Sequence, residues 1–238
     1  QPGAVIAPKV TSQPSVAIVE TKTETSKNYL FWVLLALLAF LTTVITLSRK
    51  RLEQVRRAFY NDNYCRQLHR ANQGRFSLGY FLLYLLFFMN FGLFFFLAAR
   101  QFNLNVSNSF GTLVLVCLGV ILVFVGKHLL LYFLEQTFPF GKEIKLYSFT
   151  IMIFSIVLGI ILFPINVFAA FSPESLKSII IIGGLGAILA TYSFRSLRGI
   201  SIGSRYFMLH TFHFLLYLCA VEILPIVVVL KFVLLKIG

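Results

Sequence analysis

The sequence predicts an all-α, polytopic membrane protein of about six transmembrane helices, with an external amino-terminal tail and a basic cytoplasmic helical hairpin. Three observations carry that prediction. Of 238 residues, 58% are hydrophobic and only 12% charged, whereas an ordinary soluble domain is about 45–50% apolar with roughly a quarter of its residues charged. The mean hydropathy is +0.87, and a water-soluble fold of this size could not hide so much apolar surface behind its unavoidable skin. The apolar residues fall in long runs, and Lys and Arg gather beside them, as membrane topology requires.

Residues 1–28 are rich in Thr, Ser, Pro and Val and carry no aromatic before Tyr29. They read as an extended external (periplasmic) tail, because they cannot bury enough to fold alone. The alternation Ser15-Val16-Ala17-Ile18-Val19 would also suit strand addition to a periplasmic partner. The start Gln1-Pro2-Gly3, without Met, fits a trimmed chain or one matured by signal-peptide removal, which would leave this end outside. The remainder, 29–238, reads as the transmembrane domain.

The first span is expected from about Tyr29 to Leu47, enough to cross roughly 30 Å of hydrocarbon at about 1.5 Å per residue. Tyr29 and Trp32 mark its outer end, where aromatic belts lie. Segment 48–76 is the main polar stretch, with Arg49, Lys50, Arg51, Arg56, Arg57, Arg66, Arg70 and Arg75 against Glu53 and Asp62. Leu52, Val55 and Phe59 recur at helical spacing, and Asn61-Asp62-Asn63 is a stop followed by a fresh N-cap. A second short helix over about 63–72 completes a hairpin on the membrane surface. Further spans are expected at about Ser77–Ala99, Thr112–Phe133, Leu146–Phe171, Leu176–Phe194 and Tyr206–Leu235, with basic loops at 134–145 and 195–205.

Segments 48–76, 134–145 and 195–205 hold 8, 2 and 3 Lys or Arg residues, while the opposite connections at 100–111 and 172–175 hold only Arg100. The positive-inside rule then places the three basic segments in the cytoplasm and both termini outside. The net charge of +13 belongs to topology and anionic lipid headgroups, and no nucleic-acid-binding module accompanies it. Cys65, Cys117 and Cys219 have neither disulfide nor zinc spacing, so they read as isolated thiols.

Polar groups inside hydrocarbon are the natural place to look for chemistry: Asn90, Lys127, His128, Asn166, His210, His213, Glu222 and Lys231. His128 with His210 or His213 could hold haem or a metal. The plainer reading is interfacial hydrogen bonding, and no metal or cofactor is expected. Glu222, three residues before Pro225, must be neutral, hydrogen-bonded or paired in lipid. Its expected role is an interhelix bond to Asn166 or to another subunit. Gly183, Gly184, Gly186, Ala187 and Ala190 give the fifth span a small-residue face for close helix packing, with the pairs Gly183/Ala187 and Gly186/Ala190 at four-residue spacing. No P-loop, GxSxG, HExxH or dinucleotide fingerprint has the context it would need.

AFYNDNYCRQLHRANQGRF after the first span and FHFLLYLCAVEILPIVVVLKFV near the end resemble a family of polytopic inner-membrane proteins from Bacteroidota, a domain of unknown function numbered 4271. The resemblance covers about residues 50–235. It implies an inner-membrane location and six spans, and no reaction. The expected function is that of a non-catalytic accessory or scaffold subunit of a larger inner-membrane assembly, in protein export or cell-envelope biogenesis. Other membrane subunits and anionic lipids would be its contacts. Two alternatives are a small redox or lipid/quinone-binding enzyme built on the intramembrane His and Glu, and a transporter, which would need polar, interrupted helices at midplane.

Overall fold

The protein is all-helical in a computed structural model that describes residues 16–72, 78–102, 109–137 and 141–204. Among these described residues seven helices follow one another: α1 (Val16–Leu47), α2 (Arg49–Tyr60), α3 (Asp62–Ala71), α4 (Leu78–Gln101), α5 (Phe110–Thr137), α6 (Gly141–Phe171) and α7 (Glu174–Ser204). Five of them are long and apolar enough to cross a membrane: Tyr29–Leu47, Leu78–Gln101, Phe110–Phe133, Ile144–Phe171 and Glu174–Gly199. These match the first five expected spans to within a few residues, and the expected sixth lies outside the described residues.

Two boundaries differ from the sequence reading. Residues 16–28 are helical rather than extended. No Gly or Pro falls between Pro14 and Leu47, so nothing breaks the helix that the first span propagates backwards. The expected basic loop at 195–205 is likewise the last turns of α7, through Ser204. Arg195 and Arg198 turn inward there, so the segment is packed structure rather than a connection.

α4 and α6 form the most extensive helix pair, with α5 and α7 packed on their flanks and α1 against α4. The first contact of α1 is a stripe, Leu30, Leu34 and Leu37, at the three- and four-residue spacing that keeps side chains on one helix face. Phe87, Phe91, Phe94 and Phe96 of α4 meet Phe124 of α5 and Leu158 and Leu162 of α6 in the main core. Ring centroids there lie 5.0 Å apart for Phe87–Phe91 and 5.1 Å for Phe87–Phe124, within the favourable range for aromatic pairs. Pro164 sits inside α6, removing one backbone donor, yet the helix runs on to Phe171.

The hairpin α2–α3 docks onto the bundle. Val55, Ala58, Cys65 and Leu68 are buried against Tyr80 and Leu83 of α4 and Ile153 and Ile156 of α6. Asn61 ends α2 and starts α3, and its side-chain oxygen accepts the Tyr64 N–H at 3.2 Å. That is the stop-and-restart cap expected from Asn61-Asp62-Asn63.

Candidate functional site

Among the described residues, three clusters of polar side chains join one helix of the bundle to another. At mid-bundle, Asn90 of α4 and Asn166 of α6 are both fully buried. The Asn166 amide nitrogen donates to the Asn90 backbone carbonyl at 2.8 Å, while Asn90 turns its own amide to the Leu86 carbonyl at 3.0 Å. The Asn166 Oδ1 has no hydrogen-bond partner among the described residues.

Nearer the hairpin, Tyr84 of α4, His128 of α5 and Ser148 of α6 form a chain. The Tyr84 hydroxyl lies 2.9 Å from His128 Nε2, and Ser148 Oγ lies 3.1 Å from Nδ1. Both ring nitrogens are engaged, so the imidazole has no lone pair left to ligate a metal unless one of these bonds breaks. The ring also meets Tyr84 edge-on. Arg195 is only 2% exposed, with its guanidinium 4.2 Å from the centre of the Tyr192 ring, a favourable cation–π distance.

The third place locks the hairpin to α7. Arg198 Nε donates to Asp62 Oδ1 at 3.1 Å and Nη1 donates to the Phe59 carbonyl at 2.9 Å. Arg66 takes the other Asp62 oxygen at 3.1 Å. Phe59 lies in the last turn of α2, where carbonyls lack intrahelical donors. Asp62 opens α3, where a carboxylate is favoured by the helix dipole. One guanidinium therefore caps the end of α2 and neutralises the start of α3 across the Asn61 joint. Beneath it, the rings of Phe59, Phe154 and Phe194 pack tilted against one another at centroid distances of 4.8 to 5.9 Å. Burial pushes the Cys65 thiol up from its ordinary value, and burial followed by the Lys145 charge pushes the His69 imidazole down.

Residues 30–233 fit the model of the family described as Domain of unknown function (DUF4271). The chain belongs to this family. No curated protein and no solved structure matches.

Besides His128, the residues singled out in this DUF4271 chain by sequence fall into four groups. Asn90 and Asn166 come together through the Asn166 amide and the Asn90 backbone carbonyl, and the expected bond from Asn166 to Glu222 falls outside the described residues. Glu222, His210, His213, Lys231 and Arg75 lie outside the described residues. Among the arginines, Arg49, Lys50, Arg56, Arg57 and Arg70 are exposed, whereas Arg51 rests on the Tyr80 ring at 5.5 Å and Arg66 is drawn to Asp62. On α7, Gly184 is pressed on Phe94 and Ile165, while a Cβ at Gly183 or Gly186 would meet nothing among the described residues. Ala187 is half-buried and Ala190 exposed. Among the described residues, no group of three or more His, Cys, Asp or Glu could hold a metal.

Sequence reasoning overlooked Tyr84, Ser148, Tyr192, Arg195 and Arg198. The available signal was the Arg195/Arg198 pair, three residues apart and so on one helix face, directly after a span. In this DUF4271 fold the Asn90–Asn166 contact makes a graded prediction. Asn166→Leu is expected to cost about 1 kcal/mol in reversible detergent unfolding, in line with interhelix hydrogen bonds in membranes. Asn90→Leu is expected to cost less, since the short bond goes to its backbone carbonyl. Equal losses in the two variants would mean that the side-chain pair, not the backbone bond, carries the contact.

Proposed function

We propose that this protein is a non-catalytic accessory or scaffold subunit of a larger inner-membrane assembly in Bacteroidota, serving protein export or cell-envelope biogenesis. The hairpin end faces the cytoplasm, following the placement of Lys and Arg. Other membrane subunits cover its flanks, anionic lipids meet its exposed arginines, and residues 1–28 are available to a periplasmic partner.

One observation carries this reading. The most apolar windows of α5 and α7 are each only 11% buried, against 61% for α4 and 50% for α6. The α7 flank includes Gly183 and Gly186, where a neighbouring backbone could approach closely. Among the described residues, the buried polar side chains serve as internal bonds: Tyr84, His128 and Ser148 engage one another, and Asn166 bonds to Asn90. A redox reading would need His128 to give up one of its two bonds.

A photocrosslinking residue at Leu122 of α5, or next to Gly186 on α7, tests the proposal in native membranes. A reproducible protein adduct is expected. The double substitution Gly183→Leu/Gly186→Leu is expected to remove most of the α7 adduct while leaving the melting temperature of the purified protein unchanged. A protein that stays strictly monomeric and gives no reproducible adduct from either flank would end the scaffold reading.

A further inference from the structure

The outward face of the hairpin carries an open groove of about 650 Å³, lined by Arg56, Arg57, Tyr60, Asn61 and Tyr64. It straddles the α2–α3 joint, with Val55, Ala58, Cys65 and Leu68 turned the other way into the bundle. Every side chain lining it can donate a hydrogen bond. The two guanidinium groups carry donors only, and the two phenols each carry one. Asn61 uses its oxygen to accept the Tyr64 N–H, which leaves its amide nitrogen as the donor it has to offer.

Charge balance points to an anion as the missing partner. Segment 48–72 holds seven Lys or Arg residues and two carboxylates, and both carboxylates already serve arginines. Glu53 pairs with Arg57 at 2.6 Å, and Asp62 is shared by Arg66 and Arg198. No carboxylate among the described residues pairs with Arg56. Guanidinium forks match the oxygen spacing of phosphate in a two-bond geometry. The hairpin is tied at both ends to spanning helices, α1 through Ser48 and α4 from Leu78. Its 12-residue α2 therefore extends no more than about 18 Å from a span end, within reach of the phosphate layer of a bilayer.

We propose that this groove is a binding site for a phosphate ester, with Arg56 and Arg57 gripping the phosphate oxygens and Tyr60, Asn61 and Tyr64 donating around them. The inference deepens the lipid-contact part of the functional reading and rests on that part alone.

The test is displacement of a fluorescent phosphatidylglycerol analogue from the full-length protein in phosphatidylcholine nanodiscs. Arg56→Gln and Tyr60→Phe together are expected to weaken binding roughly ten-fold, the scale of one lost charge-assisted contact. Arg70→Gln removes an equal charge from an exposed position outside the groove and is expected to change binding less than about two-fold. In a second arm, glycerophosphoglycerol, the same headgroup without acyl chains, is titrated by calorimetry. Binding there with the same sensitivity to the variants would assign the site to a soluble phosphate ester and uphold it. Equal weakening by Arg70→Gln would overturn the groove and leave only diffuse headgroup attraction. Failure of both probes to bind would overturn the groove and the lipid contact together.

Discussion

Replacing Gly159 of α6 with Leu is expected to force α4 and α6 apart and abolish the folded bundle. A Cβ at this position would lie 2.6 Å from the Cα of Phe87 and 2.8 Å from its Cβ. Backbone atoms of a packed helix cannot step aside as the tip of a side chain can. Phe87 is fully buried among Tyr84, Phe88, Phe91 and Phe124, so moving it disturbs the centre of the core. Overpacking by one methyl costs about 1–3 kcal/mol, and this is the expected loss for Gly159→Ala. Leu adds three more carbons to the same gap. It should leave little protein that survives detergent extraction in a monodisperse peak. Gly186→Leu is the matched control, because a Cβ there meets nothing among the described residues. Size-exclusion profiles and detergent-unfolding midpoints for the three variants decide the matter. A Gly159→Leu protein as stable as Gly186→Leu would mean that α4 and α6 are not this close.

The contrast between those two glycines shows what could be read from one dimension. Spans, the hairpin and its Asn61 joint were legible because each rests on local physics: run length against bilayer thickness, helical spacing of Leu and Val, and a side chain that caps its own next turn. The small-residue face of α7 was legible as a pattern, but not its division between Gly184, which packs on Phe94 and Ile165, and Gly183 and Gly186, which meet nothing among the described residues. Gly159 does have a small partner at helical spacing, Ser155, but that pattern does not say which backbone it meets, so the contact with Phe87 was invisible. Charges were the most misleading class. Arg195 and Arg198 fit the positive-inside rule so well that a loop was the natural reading. Their inward turn depends on Tyr192 and on Asp62, the latter 136 residues away along the chain. Likewise Asn90 and Asn166 were recognised singly as costly polar groups, but their pairing is a property of the α4–α6 packing and not of either local sequence.

The buried arginine makes the second large prediction, which concerns the hairpin alone. Arg198→Gln removes the fork that holds the Phe59 carbonyl and the Asp62 carboxylate together. Breaking a fully buried pair costs about 3–5 kcal/mol. The Asp62 side chain is 38% exposed, and solvent screening brings the expected loss of docking energy to about 1–3 kcal/mol. Cys65 reports that loss directly. It is 1% exposed, packed under the hairpin beside Thr150, and burial holds its thiol in the unreactive protonated form. With Cys117 and Cys219 replaced by Ser, maleimide should therefore reach Cys65 only when the hairpin lifts. In Arg198→Gln the labelling rate is expected to rise about ten- to a hundred-fold, since each 1.4 kcal/mol changes the open population about ten-fold. Arg198→Lys keeps the charge but not the planar fork, so it should fall between the two. Asp62→Asn should speed labelling as well, and adding it to Arg198→Gln should contribute little more, because the two residues act as one contact. If Cys65 labels at the parental rate in Arg198→Gln, the apolar contacts of Val55, Ala58 and Leu68 hold the hairpin down without the lock.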